Sequence, residues 1–194
     1  MRIVGGRHKG RRLAAPAGRD TRPTADRARE ALFNILAHSP HVRLSGAVVA
    51  DCFAGAGGLG LEALSRGAAH VTFVDSGAPA LAAIRANIDS LGEQAAATVV
   101  RADATRLPPA ARPCDLVLLD PPYHSGLVLP CLNSLGARGW LENQALVVVE
   151  VAAAEDIALP DGFTELDRRT YGAAKFVLAV FAAAPGAASG KGDP

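Results

Sequence analysis

The feature that most constrains the fold is an alternation of short apolar runs with amphipathic stretches between residues 47 and 151. Runs with the length and composition of strands occur at 47–53, 70–75, 96–103, 114–120 and 145–151. Stretches with helical periodicity occur at 59–67, 78–92 and 126–136. Runs with few alternating polar positions are typical of strands that are covered on both faces. The alternation therefore predicts an α/β fold with a doubly wound, mostly parallel sheet.

The flanking segments complete the predicted architecture. Two further strand candidates, 163–170 and 175–182, are separated only by residues 171–174, which is hairpin spacing. They predict an antiparallel edge and bring the sheet to seven strands. At the other end, strand-like pieces at 2–6 and 11–15 predict a small basic β-hairpin around glycines.

The sequence between and beyond these elements suggests three regions. We expect the hairpin and a following loop to form a separate basic appendage at residues 1–24, and we expect one main domain at residues 25–182. That domain opens with a helix that Thr24 or Asp26 could cap. Residues 183–194 are small and polar, and we expect a disordered tail there.

Bulk composition excludes several classes of protein. Apolar residues make up 49% of the chain and charged residues 20%, which is ordinary for a globular protein and not for a disordered one. No apolar run reaches the ~18 residues of a membrane span, and the basic start lacks the apolar segment of a secretory signal, so we expect a cytoplasmic protein. The odd set of Cys52, Cys114 and Cys131 has no metal-binding spacing, and we interpret them as reduced core thiols.

Positive charge is concentrated at the start of the chain. Residues 1–30 hold nine Lys or Arg against three acids, a charge of +6, so the rest of the chain carries −5. This asymmetry is typical of a body that grips a phosphate backbone on one side. A solvated charged face is the alternative. The candidate RNA-binding residues are Arg7, Lys9, Arg11, Arg12 and Arg22.

Each of the first four apolar runs ends on or just before an acid: Asp51, Asp75, Asp103 and Asp120. Ligands of doubly wound sheets bind at the carboxyl ends of the strands, so these four carboxylates could converge on one crevice. A single acid at a strand end could equally cap the next helix. Four acids at corresponding strand ends favour a ligand-binding site.

Residues 55–60 match the pattern GxGxxG between a strand and a helix, and Asp75 follows Gly55 by twenty residues. This glycine-rich turn alone is also a dinucleotide fingerprint, which leaves an NAD-linked oxidoreductase as an alternative. Asp51 would repel a pyrophosphate at the turn, whereas it would attract the ammonium group of S-adenosylmethionine. Asp75 suits ribose hydroxyls, and Asp103 lies where an adenine amino group could be read.

The tetrapeptide Asp120, Pro121, Pro122 and Tyr123 directly follows an apolar run. Two prolines make a stiff frame whose carbonyls have no competing donors. The Asp120 carboxylate and the Pro121 carbonyl could each accept a hydrogen from one planar amino group, and Tyr123 could stack on a nucleobase. The pattern indicates methylation of an exocyclic amino nitrogen without a metal, although it does not distinguish guanine from adenine. A rigid turn with a core tyrosine is the alternative.

Several segments together resemble the RsmD-type family of 16S ribosomal RNA guanine-N2 methyltransferases. They are DCFAGAGGLGLEALSRGA, LLDPPY, RIVGGRHKGRRL and TRPTADRAREALFNIL, and the resemblance extends from residue 1 to about residue 181. It implies a Rossmann-like methyltransferase sheet, S-adenosylmethionine as cofactor, and 16S rRNA or the 30S subunit and its assembly intermediates as partner. Residues 1–24 would then be an RNA-binding appendage, and residues 25–182 the S-adenosylmethionine-dependent methyltransferase domain.

The resemblance also assigns roles to residues. Residues lining the methionine part would be Asp51, Phe53, Gly55, Gly57 and Gly60. Asp75 would bind the ribose, Asp103 the adenine, and the tetrapeptide the guanine. The family often has Glu where this chain has Asp75, which shortens the reach to the ribose.

Three alternatives to this function remain at the level of sequence. An N6-adenine methyltransferase of DNA or RNA could use the same acceptor frame, although the chain has no sizeable insertion for DNA target recognition. An RNA-binding assembly factor could hold the cofactor without turnover, and the oxidoreductase is the third. We expect a monomer, because no extra interaction element is visible. The roles of Arg27, Arg29 and His124 stay open.

Overall fold

A seven-stranded sheet forms the centre of the computed structural model, which describes residues 1–15 and 23–183. The strands are β1 (Val48–Cys52), β2 (His70–Asp75), β3 (Ala97–Arg101), β4 (Cys114–Leu119), β5 (Leu141–Ala152), β6 (Phe163–Tyr171) and β7 (Ala174–Phe181). Their order is β3-β2-β1-β4-β5-β7-β6. Strands β1 to β5 pair in parallel, and β6 and β7 are antiparallel. The predicted doubly wound sheet with an antiparallel edge is confirmed.

The described helices cover both faces of this sheet. They are α1 (Pro23–Ala37), α2 (Gly58–Ser65), α3 (Ala78–Leu91) and α4 (Val128–Ala137). The apolar side chains of α1, α2 and α3 share one core with the first face, and those of α4 share a second core with the opposite face. The chain reverses its winding direction between the neighbouring strands β1 and β4, so the connections that follow them leave in opposite directions. The carboxyl ends of these two strands therefore form the switch point of the sheet.

Burial on both faces explains why the inner strands read as continuous apolar runs. Leu116, Val117 and Leu118 follow one another along β4, and all three side chains are inaccessible to solvent. Alternate residues contact the α1–α3 core and the α4 core, so neither face of the strand tolerates a polar group. Cys52, Cys114 and Cys131 are buried and free of disulfides, as predicted.

The differences from the prediction that have a clear physical cause lie at the starts of β5, α4 and α1. Strand β5 begins at Leu141, four residues earlier than expected, and an irregular register between Cys114 and Leu116 accommodates its polar start. Helix α4 begins at Val128 because Gly126 adopts a φ of 69°, which ends helical geometry before it. Helix α1 begins at Pro23, so the predicted capping residues Thr24 and Asp26 lie inside it; proline is favoured in the first helical turn.

The N-terminal hairpin, residues 2–15, is part of the body rather than a free arm. Its two sides are joined by one isolated antiparallel bridge between Arg2 and Arg12, and the predicted pieces 2–6 and 11–15 do not form regular strands. Ile3 and Leu13 are buried in the α1–α3 core, with 1% and 6% of their surface exposed. A Cβ on Gly6 would lie 2.0 Å from the Ser65 carbonyl oxygen, so the hairpin turn approaches the end of α2 as closely as only glycine allows.

A buried carboxylate fastens the tip of this hairpin to the body. Glu93, 5% exposed, accepts hydrogen bonds from Arg7 Nε at 2.8 Å and Nη2 at 2.6 Å, and also contacts His8. Burial would raise the pKa of Glu93, but the hydrogen bonds and charges of Arg7 and His8 outweigh it and lower that pKa. Arg11 donates to the Ser90 carbonyl at 2.6 Å. Two of the predicted RNA-binding cations therefore contact the protein itself.

Two predictions fall on residues that the structure does not describe. Arg22, a candidate for RNA binding, lies outside the described ranges. The same holds for residues 184–194, which make up nearly all of the predicted tail.

Across residues 1–15 and 23–183, no helix is both long and apolar enough to cross a bilayer.

Replacing Glu93 with Gln tests how much the hairpin clamp stabilises the fold. We expect the free energy of unfolding at pH 7 to fall by about 1–3 kcal/mol, because Arg7 loses its charged acceptor. The difference in unfolding free energy between wild type and variant should be full above pH ~4.3, the ordinary pKa of Glu. It should shrink as the pH falls through the lowered pKa of the folded state, because Glu93 is then protonated in both the folded and the unfolded state. Urea unfolding of both proteins at pH values from 7 to 3 measures this difference in stability. Glu142→Gln, at an exposed position of β5, is the control; equal stability of the two variants would contradict the clamp.

Candidate active site

The site begins at the end of β1, where a buried carboxylate holds the glycine-rich turn. Asp51 is 1% exposed, and its Oδ2 accepts a hydrogen bond from the Gly60 amide at 2.8 Å. Burial raises the pKa of Asp51 well above its ordinary value, and the negative charges of Asp120 and Asp75 raise it further. A Cβ on Gly60 would lie 2.4 Å from the Phe73 ring, so glycine is required for α2 to pack this closely on β2.

The other side of the turn is held by Asp75, the last residue of β2. Its Oδ2 accepts from the Gly55 amide at 2.9 Å, and its Oδ1 accepts from the Gly77 amide at 2.8 Å. Gly55 and Gly57 have φ values of 58° and 80°, and Phe53 also lies in this left-handed region at 60°. The predicted cofactor residues of β1, the turn and β2 are therefore brought together by hydrogen bonds between the turn and two strand ends.

Asp103 follows β3 at the same edge of the sheet and is exposed. Its Oδ1 accepts from the Thr105 amide at 2.9 Å and the Thr105 hydroxyl at 2.8 Å, which lowers the pKa of Asp103. The adjoining Ala102 amide donates to the Asp75 carbonyl at 3.2 Å, so Asp103 lies next to the end of β2.

The tetrapeptide leaves β4 directly beside the end of β1. The Asp120 amide donates to the Cys52 carbonyl at 3.3 Å. Asp120 is exposed, Pro121 is buried, and the carbonyl of the exposed Pro122 accepts from the Ser125 amide at 3.3 Å in a tight turn. The two groups of predicted site residues, the glycine-rich turn and the tetrapeptide, therefore adjoin at the switch point of the sheet.

Tyr123 connects the tetrapeptide to β5 through Glu150, a residue that the sequence prediction missed. Its ring is 43% exposed, and its Oη donates to Glu150 Oε1 at 3.0 Å. Burial and the neighbouring Glu150 raise the pKa of Tyr123, and burial raises the pKa of Glu150. Glu150 interrupts the apolar run 145–151 near its carboxyl end, as the acids of the other strands do; that signal could have identified it.

Arg27, Arg29 and His124 had no assigned role in the sequence prediction, and of these Arg29 is the buried one. Its side chain is 6% exposed; Nη2 donates to Asp26 Oδ1 at 2.8 Å and to the Arg2 carbonyl at 2.6 Å. Nη1 would lie 3.6 Å from a Cβ on Gly58, at the start of α2. Arg27 is exposed, and the exposed His124 donates its amide to Glu155 Oε2 at 2.9 Å. Pairing with Asp26 is thus the observed role of Arg29.

The basic tip of the hairpin does not lie with the tetrapeptide. Arg7 bonds through its amide to Ser65, the last residue of α2, and through its side chain to Glu93, just after α3. Helices of a doubly wound sheet run opposite to the strands, so their carboxyl ends lie at the amino ends of the strands. Arg7, Lys9 and Arg11 therefore lie toward the edge opposite to Asp120.

Comparisons with known proteins agree with this architecture. The sequence model of the family described as "Conserved hypothetical protein 95" matches residues 1–180. Ribosomal RNA small subunit methyltransferase D of Escherichia coli K12 is 40% identical over 151 residues, which cover 77% of this chain and 74% of the relative. The protein of the same name from Haemophilus influenzae is 34% identical over 182 residues, 92% of each chain.

Solved structures add the three-dimensional comparison. That of yhhF from Escherichia coli aligns with a TM-score of 0.79 at 34% identity and covers 95% of this chain and 99% of that chain. The Rossmann-like methyltransferase sheet expected from the sequence is confirmed. The chain therefore belongs to the family matched over residues 1–180, the RsmD family, as its glycine-rich turn, tetrapeptide and N-terminal segments indicated.

Proposed function

We propose that this chain transfers a methyl group from S-adenosylmethionine to the exocyclic N2 of a guanine in 16S rRNA. The observation that carries the proposal is the hydrogen bond between the Asp120 amide and the Cys52 carbonyl, which joins the tetrapeptide to the start of the glycine-rich turn. Direct methyl transfer requires the methyl donor and the accepting amine to be neighbours, and these two segments are neighbours. The names of the relatives support rRNA of the small subunit as substrate.

The chemistry of the turn favours S-adenosylmethionine over a dinucleotide. A pyrophosphate at a helix start is bound by the free amides of the first turn. Here the Gly60 amide already donates to the side chain of the buried Asp51, so this amide is not available to a phosphate. The methionine part would be held by Asp51, Phe53, Gly55, Gly57 and Gly60, the ribose by Asp75 and the adenine by Asp103. When bound, the cofactor supplies a methyl group on a sulfonium that is already a good leaving group.

The tetrapeptide would orient the amine. The Asp120 carboxylate and the Pro121 carbonyl accept the two amino hydrogens, so the nitrogen lone pair faces the methyl group. An exocyclic amine conjugated to a purine is a poor nucleophile, and positioning of this kind can contribute up to ~7–11 kcal/mol. Acceptors that match the partly positive nitrogen of the transition state stabilise it further. The methylated nitrogen then loses a proton, for which the exposed Asp120 carboxylate is an acceptor.

Tyr123 would stack on the extruded base. Stacking on an aromatic ring contributes ~1–3 kcal/mol per base, and the hydrogen bond to Glu150 fixes the position of the ring. Its hydroxyl serves that contact and takes no part in the transfer.

Small-subunit rRNA would be bound as 16S rRNA or as 30S particles and their assembly intermediates, by a monomer. Within the hairpin, all four candidate cations are exposed, but the side chains of Arg7 and Arg11 already bond to Glu93 and the Ser90 carbonyl. Lys9 and Arg12 are therefore the stronger candidates for phosphate contacts.

Transfer of tritiated methyl groups tests the function as a whole. We expect label to enter N2-methylguanine in 30S particles purified from cells that lack this protein. Naked 16S rRNA and duplex DNA serve as parallel substrates, and nucleoside analysis identifies the product. Label found only in adenine would replace the proposal with N6-adenine methylation. Binding of rRNA without any label would support the assembly-factor alternative.

Replacing Asp120 with Asn tests the acceptor role of its carboxylate. The amide retains the shape but loses the charge that favours a partly positive nitrogen, so kcat should fall by ~10²-fold or more while cofactor affinity stays unchanged. Single-turnover methylation and calorimetric titration with S-adenosylmethionine measure the two effects. Asp161→Asn, at an exposed position before β6, is the matched control. A parental kcat in Asp120→Asn would exclude the carboxylate from the transfer.

Neutralising Lys9 and Arg12 together tests the hairpin as an RNA contact. Loss of two phosphate contacts should weaken rRNA binding and flatten the slope of log affinity against log salt by roughly 1–2. Filter binding at salt concentrations from about 50 to about 300 mM, which bracket the physiological ionic strength, measures this slope. The control removes two cations from the edge strand β6, Arg168→Gln with Arg169→Gln. Identical slopes for the two double variants would remove the hairpin from the interface.

A further inference from the structure

Glu150 lies beside the tetrapeptide on the strand next to it. In the register of β4 and β5, Leu119 pairs with Val149, so Asp120 and Glu150 are the next residues on adjacent parallel strands. The two carboxylates therefore flank the place where an amine held by the tetrapeptide would lie. Glu150 is half-buried, and it pairs across β5 and β7 with the fully buried Phe176.

The hydrogen bonding of Glu150 separates it from the other acids at this edge. Asp51, Asp75 and Asp103 accept from backbone amides of the turns that follow their strands. Within the described residues, the Glu150 carboxylate accepts one hydrogen bond, from Tyr123 Oη to its Oε1. Its Oε2 takes no part in that bond, and no backbone turn depends on it.

We propose that Glu150 reads the Watson–Crick edge of the target base and selects guanine, by accepting the hydrogen of guanine N1. This inference rests on the proposed function. A half-buried carboxylate offers acceptors only, and the Watson–Crick edge of guanine presents two adjacent donors, the N1 hydrogen and the N2 amino group. Adenine presents a lone pair at N1, which would face the carboxylate. Asp120 would hold the reacting amine, and Glu150 would hold the neighbouring ring nitrogen.

The surroundings of Glu150 support this role. Burial raises the pKa of Glu150, and the hydrogen bond from Tyr123 and then the positive charge of Arg29 act in the opposite direction. The Tyr123 hydroxyl holds one carboxylate oxygen next to the ring on which the base would stack. A site that hydrogen-bonds a substrate group rejects an analogue that lacks the group far more strongly than an apolar pocket does.

A ratio of rates separates base selection from structural support. The substrates are 30S particles reconstituted with 16S rRNA that carries either guanine or 2-aminopurine at the methylated nucleotide. 2-Aminopurine keeps the reacting N2 amine but has a lone pair at N1. The enzymes are wild type, Glu150→Gln, Glu150→Asp and the matched control Glu155→Gln. The intrinsic reactivity of each base cancels when the guanine to 2-aminopurine ratio of kcat/KM is compared between enzymes.

We expect wild type, Glu150→Asp and Glu155→Gln to prefer guanine by tenfold or more. In Glu150→Gln the side-chain amide can donate to the N1 lone pair, so the preference should narrow at least tenfold. Calorimetric cofactor binding and thermal melting accompany each variant. An equal loss on both substrates in Glu150→Gln, or an unchanged rate on guanine, would overturn the assignment of Glu150. Wild type that methylates no guanine at all would overturn the proposed function itself.

Discussion

The hydrogen bond from the Gly60 amide to the buried Asp51 carboxylate is the contact on which the rest of the site depends. It fixes the first turn of α2 against the end of β1, and the absence of a Cβ on Gly60 lets Phe73 pack beneath that turn. Asp75 then holds Gly55 from the next strand. With both ends of the glycine-rich turn fixed, the turn keeps its left-handed geometry, and the tetrapeptide meets a rigid neighbour at the switch point.

Acids at the carboxyl ends of adjacent strands repel one another, and the protein offsets this repulsion differently on the two sides of the switch point. Burial raises the pKa of Asp51, and repulsion from the charges of Asp120 and Asp75 raises it further. On the side of β1, β2 and β3, backbone amides stabilise the carboxylates, so these acids organise the turns. On β5 a tyrosine hydroxyl serves Glu150, and the charge of Arg29 favours its ionised form. In the proposed function, the first arrangement would hold the cofactor in a fixed position, and the second would leave an oxygen of Glu150 for a donor of the substrate.

Local sequence predicted the strands that are buried on both faces, because continuous apolar composition follows directly from that environment. It failed at the start of β5, where Glu142 and Gln144 look like a loop. Leu141 already pairs with Cys114, and residues 142–145 form an irregularity before pairing resumes at Leu146. It also missed the contact of Arg7 with Glu93, which joins positions 86 residues apart and leaves no local pattern. Glu150 was missed for a different reason: it lies within an apolar run, so it was assigned to the strand and not to the site. The turn and the tetrapeptide were recognisable because their chemistry lies in consecutive residues.

The position of the hairpin also constrains how RNA could lie on the molecule. Its basic tip contacts the ends of α2 and α3, toward the amino ends of the strands, whereas Asp120 and Tyr123 follow the carboxyl end of β4. The five residues of β1 alone span roughly 17 Å. A single flexible strand that enters the site would gain little from Arg7, Lys9 and Arg11 at that distance. RNA that contacted both the tip of the hairpin and the tetrapeptide would have to present an extended, folded surface.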